Sequence, residues 1–185
     1  MTMLETERLL LRTWTEADVI PFSLMNGDPQ VMEYFPSTLS SEESLQLYQR
    51  ITAFMEKRGF GLFAVELKRS HEFMGFIGLN EPTFTAAFTP CVEIGWRLAR
   101  PFWGQGFATE GARACLDFGF STLHLQEIVS FTSKLNLKSI AVMERIGMRY
   151  AGEFEHPKLE PGHRLRTHVL FRKEVISSGS SISSG

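Results

Sequence analysis

The chain has 185 residues, a formal net charge of −2, and a composition of 43% hydrophobic and 22% charged residues. This length suffices for one domain with a sizeable core, and the composition is that of an ordinary globular protein. The nearly balanced charge disfavours nucleic acids and anionic membranes as partners. No apolar run approaches the roughly 18 residues of a transmembrane helix.

The remaining bulk features point to a cytoplasmic protein without a metal. Residues 1–7 lack the basic and apolar regions of a signal peptide. The two cysteines, Cys91 and Cys115, have no Cys-x-x-Cys spacing and are typical of reduced thiols. The histidines show no metal-ligand spacing with a carboxylate, so we expect no metal site.

Hydrophobic periodicity, helix caps and turn residues predict regular structure along most of the chain. Thr15 and Pro29 occupy positions typical of helix starts, and Gly59 is typical of a helix end. The turn 68–72 joins two strands as a hairpin. The predicted strands are residues 9–13, 60–67, 73–79, 91–98, 127–132, 148–153 and 165–173. Five helices are predicted: residues 16–24, a helix that starts at Asp28, a helix capped by Ser40 or Ser41 that reaches about residue 58, a helix from 107 to about 120, and residues 136–146.

This order places hairpins early and crossover helices late, which predicts an α/β (α+β mixed) protein with a mixed sheet and helices on both faces. Residues 1–175 are predicted to form a single domain. Residues 176–185 repeat Ile-Ser-Ser-Gly and are predicted to be a disordered tail outside the fold.

The most informative segment is the run Trp-Gly-Gln-Gly-Phe-Ala-Thr-Glu at 103–110. It lies between the strand 91–98 and an amphipathic helix on which Ala108, Ala112 and Cys115 recur at helical spacing. The backbone N–H groups of such a glycine loop are unobstructed, and the helix dipole adds partial positive charge. The sequence therefore predicts a phosphate-binding loop.

Two common phosphate-binding folds are disfavoured. The loop is not a Gly-x-x-x-x-Gly-Lys-Ser/Thr motif, so a P-loop nucleotidase is not expected. It also lacks the third glycine of a dinucleotide fingerprint, and the first strand and helix are not joined by the glycine-rich turn of a Rossmann fold.

A second segment, Asn136 to Met148, begins 32 residues after Gly104. The two segments, in this order and at this distance, resemble the acetyl-CoA-binding core of the GNAT N-acetyltransferase superfamily. The segments 6–12 and 28–32 resemble the RimJ/RimL-like branch, which includes the ribosomal-protein N-terminal acetyltransferases. The resemblance extends over nearly the whole chain, from about residue 5 to residue 173.

The resemblance implies a GNAT-like fold: a central, mostly antiparallel mixed sheet of about seven strands, splayed open between the strands 91–98 and 127–132. The pantetheine arm of acetyl-CoA would enter this gap. The resemblance also implies a set of cofactor contacts: the loop residues Gly104, Gln105, Gly106, Phe107, Ala108 and Thr109 for the pyrophosphate, and Trp96, Arg97, Leu98, Asn136 and Ser139 for the rest of the cofactor. Pro101 stands where the family often has Arg or Gln, which removes one side-chain contact.

Glu93 is the main candidate for a general base. It is a carboxylate within an apolar strand, on the same face as Gly95 and Arg97. It either pairs with Arg97 or another cation at the sheet surface, or faces the cleft and accepts a proton, as a glutamate in this strand often does in the family.

Asn136 and Ser139 also allow two interpretations. Asn136 is a favoured helix N-cap and, by resemblance, a contact of the pantetheine arm. Many relatives have a tyrosine at the position of Met143 as the thiolate's proton donor. In the RimJ/RimL-like group a serine at the position of Ser139 is a candidate for that role, with Tyr150 as a weaker alternative. An ordinary surface serine is the other interpretation of Ser139.

We expect the acceptor site to be built by residues 21–36, residues 82–90 and the last hairpin, with His156, His163 and His168 nearby. Arg164 and Arg166 form a local basic patch that either attracts an acidic acceptor or is a solvated strand edge. An acyl-enzyme on Cys91 is disfavoured because no His or Asp partner is placed in the sequence.

The function predicted from these residues and the resemblance is acetyl transfer from acetyl-CoA directly to a primary amine, most simply a protein or peptide N-terminus. A small-molecule amine is the alternative acceptor, and a CoA-binding module without catalysis is a third hypothesis. We expect a monomer or a homodimer.

Overall fold

The computed structural model describes residues 1–175, so the predicted tail lies outside the described residues. The described chain forms an eight-stranded sheet in the order β1-β2-β3-β4-β5-β6-β8-β7. The strands are β1 (Thr2–Glu5), β2 (Leu9–Arg12), β3 (Leu62–Leu67), β4 (Glu72–Asn80), β5 (Glu93–Leu98), β6 (Glu127–Ser133), β7 (Arg149–Glu155) and β8 (Thr167–Glu174). The helices are α1 (Val19–Gly27), α2 (Ser41–Arg58), α3 (Phe107–Ser121) and α4 (Leu137–Arg145).

The sheet confirms the predicted mixed, mostly antiparallel architecture. Every neighbouring pair is antiparallel except β5 and β6, which are parallel and joined through α3. The strand that the sequence did not predict is β1, an edge strand that pairs with β2.

The sheet opens in its middle, where β5 and β6 begin together and then separate. Their register holds at one pair, Glu93 with Val129, next to a hydrogen bond from the Val129 N–H to the Val92 carbonyl at 2.9 Å. By contrast, β4 and β5 stay paired along all of β5. The gap therefore widens toward the carboxyl ends of two parallel strands, the edge at which open α/β sheets bind ligands.

Helices cover both faces of the sheet, as predicted. One core is formed by α3 and α4 against the sheet and includes the buried Leu116, Met143 and Ile94. The other is formed by α1 and α2 on the opposite face and includes the buried Phe22 and Phe76. Burying both faces positions the open seam between β5 and β6 at the centre of the molecule.

The helix boundaries mostly follow the caps seen in the sequence. The Ser40 hydroxyl accepts a hydrogen bond from the Glu43 N–H at 3.2 Å, and α2 ends at Gly59 in the left-handed conformation. The helix predicted to start at Asp28 is wrong, because residues 29–34 form turns instead. The Asp28 carboxylate accepts the Gln30 N–H locally at 2.9 Å, and Pro36 disfavours helical backbone at the preceding residue.

Candidate active site

A cleft of about 1780 Å³ opens where β5 and β6 diverge. Its walls are the two strands, the loop before α3, the start of α4, residues 30–36 and part of the β7–β8 connection. Nearly all the predicted site residues meet here. Those that line the cleft are Glu93, Trp96, Arg97, Leu98, Gly104, Gly106, Phe107, Ala108, Thr109, Asn136 and Ser139, whereas Gln105 does not.

The edge of β5 that faces the gap offers backbone hydrogen-bonding groups. The Ile94 carbonyl points toward β6, where it accepts the Ser130 hydroxyl at 2.9 Å. Because backbone groups alternate in direction along an antiparallel pair, those of Trp96 and Leu98 face the same side, past the point where β6 has separated. The Trp103 indole N–H donates a hydrogen bond to the Leu98 carbonyl at 2.7 Å, so this carbonyl is already paired. The Trp96 groups and the Leu98 N–H therefore face the cleft, as amide contacts to a pantetheine arm require.

The loop before α3 has the geometry of an anion cradle. Gly104 and Gly106 have φ angles of 72° and 82°, in the left-handed region that favours glycine. Gly106 is the N-cap of α3, so unpaired N–H groups of the first turn open onto the loop. The Gln105 side chain instead donates to the Pro101 carbonyl at 2.9 Å, which explains its absence from the cleft lining.

Arg8 holds this loop in place, a role that we did not predict. Its guanidinium contacts the Glu110 carboxylate at 2.7 Å and the Gln105 carbonyl at 3.0 Å, and it lies 4.4 Å from the Phe107 ring centroid. The Thr6 hydroxyl donates to the same carboxylate at 2.6 Å. The turn between β1 and β2 is thus fastened to the first turn of α3.

We expect Arg8→Met to raise the KM for acetyl-CoA about fivefold with little change in kcat, because hydrogen bonds to charged groups contribute on the order of 1 kcal/mol or more. Steady-state kinetics with varied acetyl-CoA measures this. Arg58→Met is the matched control, since Arg58 also pairs with a carboxylate, that of Glu81, and lies over the ring of Phe60, away from the cleft. An equal KM for both variants would contradict the role of Arg8.

The start of α4 forms the wall facing this loop. Asn136 is the N-cap: its carbonyl oxygen accepts the Ser139 N–H at 3.2 Å, and its amide donates to the Thr132 hydroxyl at 3.1 Å. Ser139 lines the cleft, and its hydroxyl has no partner within residues 1–175. Met143, at the position of the family's tyrosine, is buried and also lines the cleft. Ser139 is therefore the hydroxyl on α4 that reaches the cleft.

Glu93 lies at the narrow end of the gap. Within residues 1–175 its carboxyl group forms no ion pair with Arg97, and Asn80 stands opposite it on β4. Burial raises the pKa of Glu93 to about 8, although Asn80 acts in the other direction. A carboxyl group with this pKa accepts a proton readily at slightly alkaline pH.

The other candidate acid–base groups are less well placed. Tyr150 is 59% exposed on β7 and does not line the cleft. Burial raises the pKa of the Cys91 thiol to about 11, and Cys91 also lies outside the cleft lining. His156 and His168 do line it, 4.8 Å apart between ring centroids. Burial, with the neighbouring His168, lowers the pKa of His156 to about 4, which makes it a weak base.

The predicted acceptor segments surround the end of the cleft near Glu93. Residues 30–36 line it directly, while residues 82–90 lie behind, through Phe84, whose ring centroid is 4.7 Å from that of His156. Arg164 donates to the Glu33 carbonyl at 2.7 Å, which joins the β7–β8 connection to the segment after α1. Arg166 pairs with Glu155 at 3.0 Å, so this part of the basic patch is neutralised.

Arg97 is enclosed in this same end of the cleft. One Nη donates to the Asn26 side-chain carbonyl at 2.7 Å. The guanidinium lies 4.2 Å from the Phe35 ring centroid and 5.2 Å from that of Phe76. The signal in the sequence for this contact is Asn26, a polar residue that is buried on the otherwise apolar α1.

Two further findings concern the described residues 1–175. No cluster of three or more His, Cys, Asp or Glu side chains there is arranged to hold a metal ion. In the same range, no helix is both long and apolar enough to cross a membrane.

Comparison with known proteins shows the family to which the chain belongs. The family model of the acetyltransferase (GNAT) domain matches residues 8–149. The uncharacterized protein YkkB of Bacillus subtilis is 33% identical over 151 residues, covering 81% of this chain and 87% of YkkB.

Two solved structures share the fold. A ribosomal-protein-S5-alanine acetyltransferase of Vibrio fischeri superposes with a TM-score of 0.73 at 19% identity, covering 92% of this chain and 95% of the other. A spermidine N-acetyltransferase of Vibrio cholerae, solved with CoA and spermine, gives 0.72 at 21% identity, covering 91% and 96%. The chain belongs to the GNAT family of acetyltransferases, which use acetyl-CoA as the acetyl donor.

Proposed function

We propose that this acetyltransferase acts on the N-terminal α-amine of a protein or peptide. The observation that carries the proposal is the position of Glu93, a carboxyl group at the end of the cleft where β5 and β6 still pair, and burial raises its pKa to about 8. An α-amine has a pKa of roughly 7.7–8.0, whereas a lysine or polyamine amine has one of about 10.4. Glu93 is therefore matched to an α-amine, and proton transfer from a more basic ammonium would be uphill.

The proposed reaction is a direct transfer. Glu93 takes a proton from the ammonium, either directly or through a water molecule. The neutral amine attacks the thioester carbonyl, and the carbon–nitrogen bond forms as the carbon–sulfur bond breaks. A backbone N–H at the open edge of β5 stabilises the developing oxyanion. Ser139 donates a hydrogen bond to the departing thiolate, and the second proton lost by the amide product passes to that thiolate, so that CoA leaves as the thiol while Glu93 keeps the first proton.

In this proposal acetyl-CoA lies along the gap between β5 and β6. The pyrophosphate lies on the amides of the loop 104–109, and the pantetheine amides pair with Trp96 and Leu98. The left-handed glycines and the unpaired edge of β5 support this placement. Asn136 borders the same arm from α4 while it caps that helix. Gln105 contributes through its backbone, because its side chain turns to Pro101.

A small-molecule amine is the second candidate, since one structural neighbour is a spermidine N-acetyltransferase crystallised with spermine. The composition of the acceptor end speaks against a polycation. Its carboxyl groups are those of Glu33 and Glu93, and they are accompanied by Arg97 and Lys158. At neutral pH the raised pKa of Glu93 leaves that group largely uncharged.

The experiment that tests the proposal is a thiol-release assay with acetyl-CoA and a panel of amines. The panel contains peptides with free N-termini, the same peptides blocked at Nα, polyamines, aminoglycosides and free amino acids. We expect turnover on the free peptides that is lost on blocking. Turnover restricted to a small amine would replace the proposal by the second candidate.

Ser139→Ala is expected to lower kcat about tenfold with an unchanged KM for acetyl-CoA. The effect is modest because a thiolate, with a thiol pKa of about 8.5, leaves with little help. Ser121→Ala, an exposed serine at the end of α3, is the control. A kcat for Ser139→Ala equal to that of the control would show that Ser139 is an ordinary surface residue.

A further inference from the structure

Arg97 carries a positive charge at the cleft wall, and no electrostatic partner for it lies in the described chain. Within residues 1–175 Arg97 forms no ion pair, and its one side-chain hydrogen bond goes to the neutral carbonyl of Asn26. Its Nε is buried without a hydrogen-bond partner. A half-buried guanidinium in this state is costly, because no carboxylate compensates its charge.

The surroundings hold this group in a fixed position at the cleft wall. Asn26 is fully buried, and its amide donates to the Ser44 hydroxyl at 3.3 Å, which orients its carbonyl toward Arg97. Phe35 and Phe76 lie against the guanidinium. This arrangement preorganises a planar donor at the cleft wall, as sites that recognise carboxylates do.

The position of Arg97 places it on the acceptor's path. Glu93, Gly95 and Arg97 alternate onto one face of β5, the face covered by α1 and α2, whereas Ile94 and Leu98 pack toward α3. The Cα atoms of Glu93 and Arg97 are about 13 Å apart at 3.3 Å per residue. Between them Gly95 leaves open space, since a Cβ built there would meet only the Glu93 carboxyl oxygen, at 4.0 Å.

We propose that Arg97 binds a carboxylate on the acceptor, so that this enzyme prefers α-amines carrying an acidic group a few residues from the reacting nitrogen. The inference rests on the proposed function and specifies its substrate class. The shared chemistry has two sources: an acidic protein N-terminus, or a small amino-acid-like molecule. A bound carboxylate replaces the water that the Arg97 guanidinium loses when the acceptor enters, whereas a neutral amide does so less well. Binding therefore favours an acceptor with a carboxylate over the same acceptor with an amide.

The test compares acceptors that differ in one charge. Hexapeptides with a free N-terminus carry a single Glu at the second, third or fourth position, each matched by a peptide with Gln there. We expect a kcat/KM about 10- to 100-fold higher for the Glu peptide at the best position, the range for a hydrogen-bonded charge. The dipeptide amides Ala-Glu and Ala-Gln form the second arm: equal use of dipeptide and hexapeptide indicates a small-molecule source, and strong preference for the hexapeptide indicates a peptide.

Variants of Arg97 test whether its side chain recognises the acceptor or only supports the fold. Arg97→Gln should remove the preference: the ratio of kcat/KM for Glu peptides to kcat/KM for Gln peptides should fall to about one, whatever loss the two peptides share. Arg97→Lys should keep part of the preference, because it retains the charge without the planar fork. A uniform loss on both peptides would mean that Arg97 is only structural and would overturn the inference.

The wild-type enzyme alone also tests the inference, even if Arg97→Gln fails to fold. Equal turnover of Glu and Gln peptides at all three positions would overturn the carboxylate preference and leave the α-amine proposal standing. Absence of turnover on every free α-amine would overturn both.

Discussion

Glu93→Gln is expected to lower kcat for peptide α-amines by about 100-fold, near the lower end of what general-base catalysis contributes. The lower end applies because roughly a tenth of α-amines are already neutral at pH 7. The KM for acetyl-CoA should change little, since the carboxyl group lies on the acceptor's side of β5. Glu174→Gln, an exposed glutamate on β8 outside the cleft, is the matched control.

The pH dependence adds a second readout for Glu93. In the wild type, activity should rise with pH through about 8, where Glu93 ionises. The α-amine of the substrate titrates in the same range, so the rise of wild-type activity with pH reflects the ionisation of two groups. In Glu93→Gln the rise should reflect the titration of the substrate amine alone. A full kcat with an unchanged pH profile in Glu93→Gln would remove Glu93 as the base.

Stability gives a readout of Glu93 that does not depend on catalysis. Because burial raises the pKa of Glu93 above its ordinary value of 4.5, the folded state retains a proton that the unfolded state loses between pH 4.5 and about 8. Stability contributed by the neutral carboxyl therefore falls as pH rises through this window. We expect the Tm of Glu93→Gln, relative to the wild type, to be higher at pH 8 than at pH 5. A Tm difference independent of pH would mean that the carboxyl is not buried as described.

Gly106→Val is expected to raise the Kd for acetyl-CoA about 10- to 100-fold. A β-branched residue disfavours the left-handed φ of 82°, and a strained backbone of this kind costs on the order of 1–3 kcal/mol. The free loop can relax out of this conformation, but the cradle must be restored to bind the pyrophosphate. Quenching of tryptophan fluorescence measures the Kd, since Trp96 and Trp103 line the cleft.

The matched control for this loop is Gly59→Val. Gly59 ends α2 with a φ of 74°, outside the cleft lining, and a Cβ there would meet no atom within 4 Å. Both variants carry the same backbone strain and should lose similar stability, but only Gly106→Val should lose affinity. An unchanged Kd in both variants would contradict the assignment of the loop to the cofactor.

Local signals predicted most of the fold. The helix α2 begins after its cap Ser40 and ends at the left-handed Gly59, as expected. Such caps are predictable because they act through hydrogen bonds within a few residues. The same locality explains the two failures. The strand β1 exists through its pairing with β2, and residues 29–34 form turns because an Asp28 side-chain contact and Pro36 compete with the helix.

The features of the site also fall into two groups, those set by neighbours in the sequence and those set by tertiary contacts. The amino-acid sequence by itself determined the glycine loop, the Asn136 cap and the alternation that puts Glu93 and Arg97 on one face, since each depends on neighbours in the chain. Only the tertiary structure decided which charges meet. Arg8 joins Glu110 across 102 residues, and Glu93 stands opposite Asn80 on β4. Burial sets the pKa of Glu93, and within residues 1–175 Arg97 has no ion pair. Both results depend on contacts between segments that no local pattern encodes.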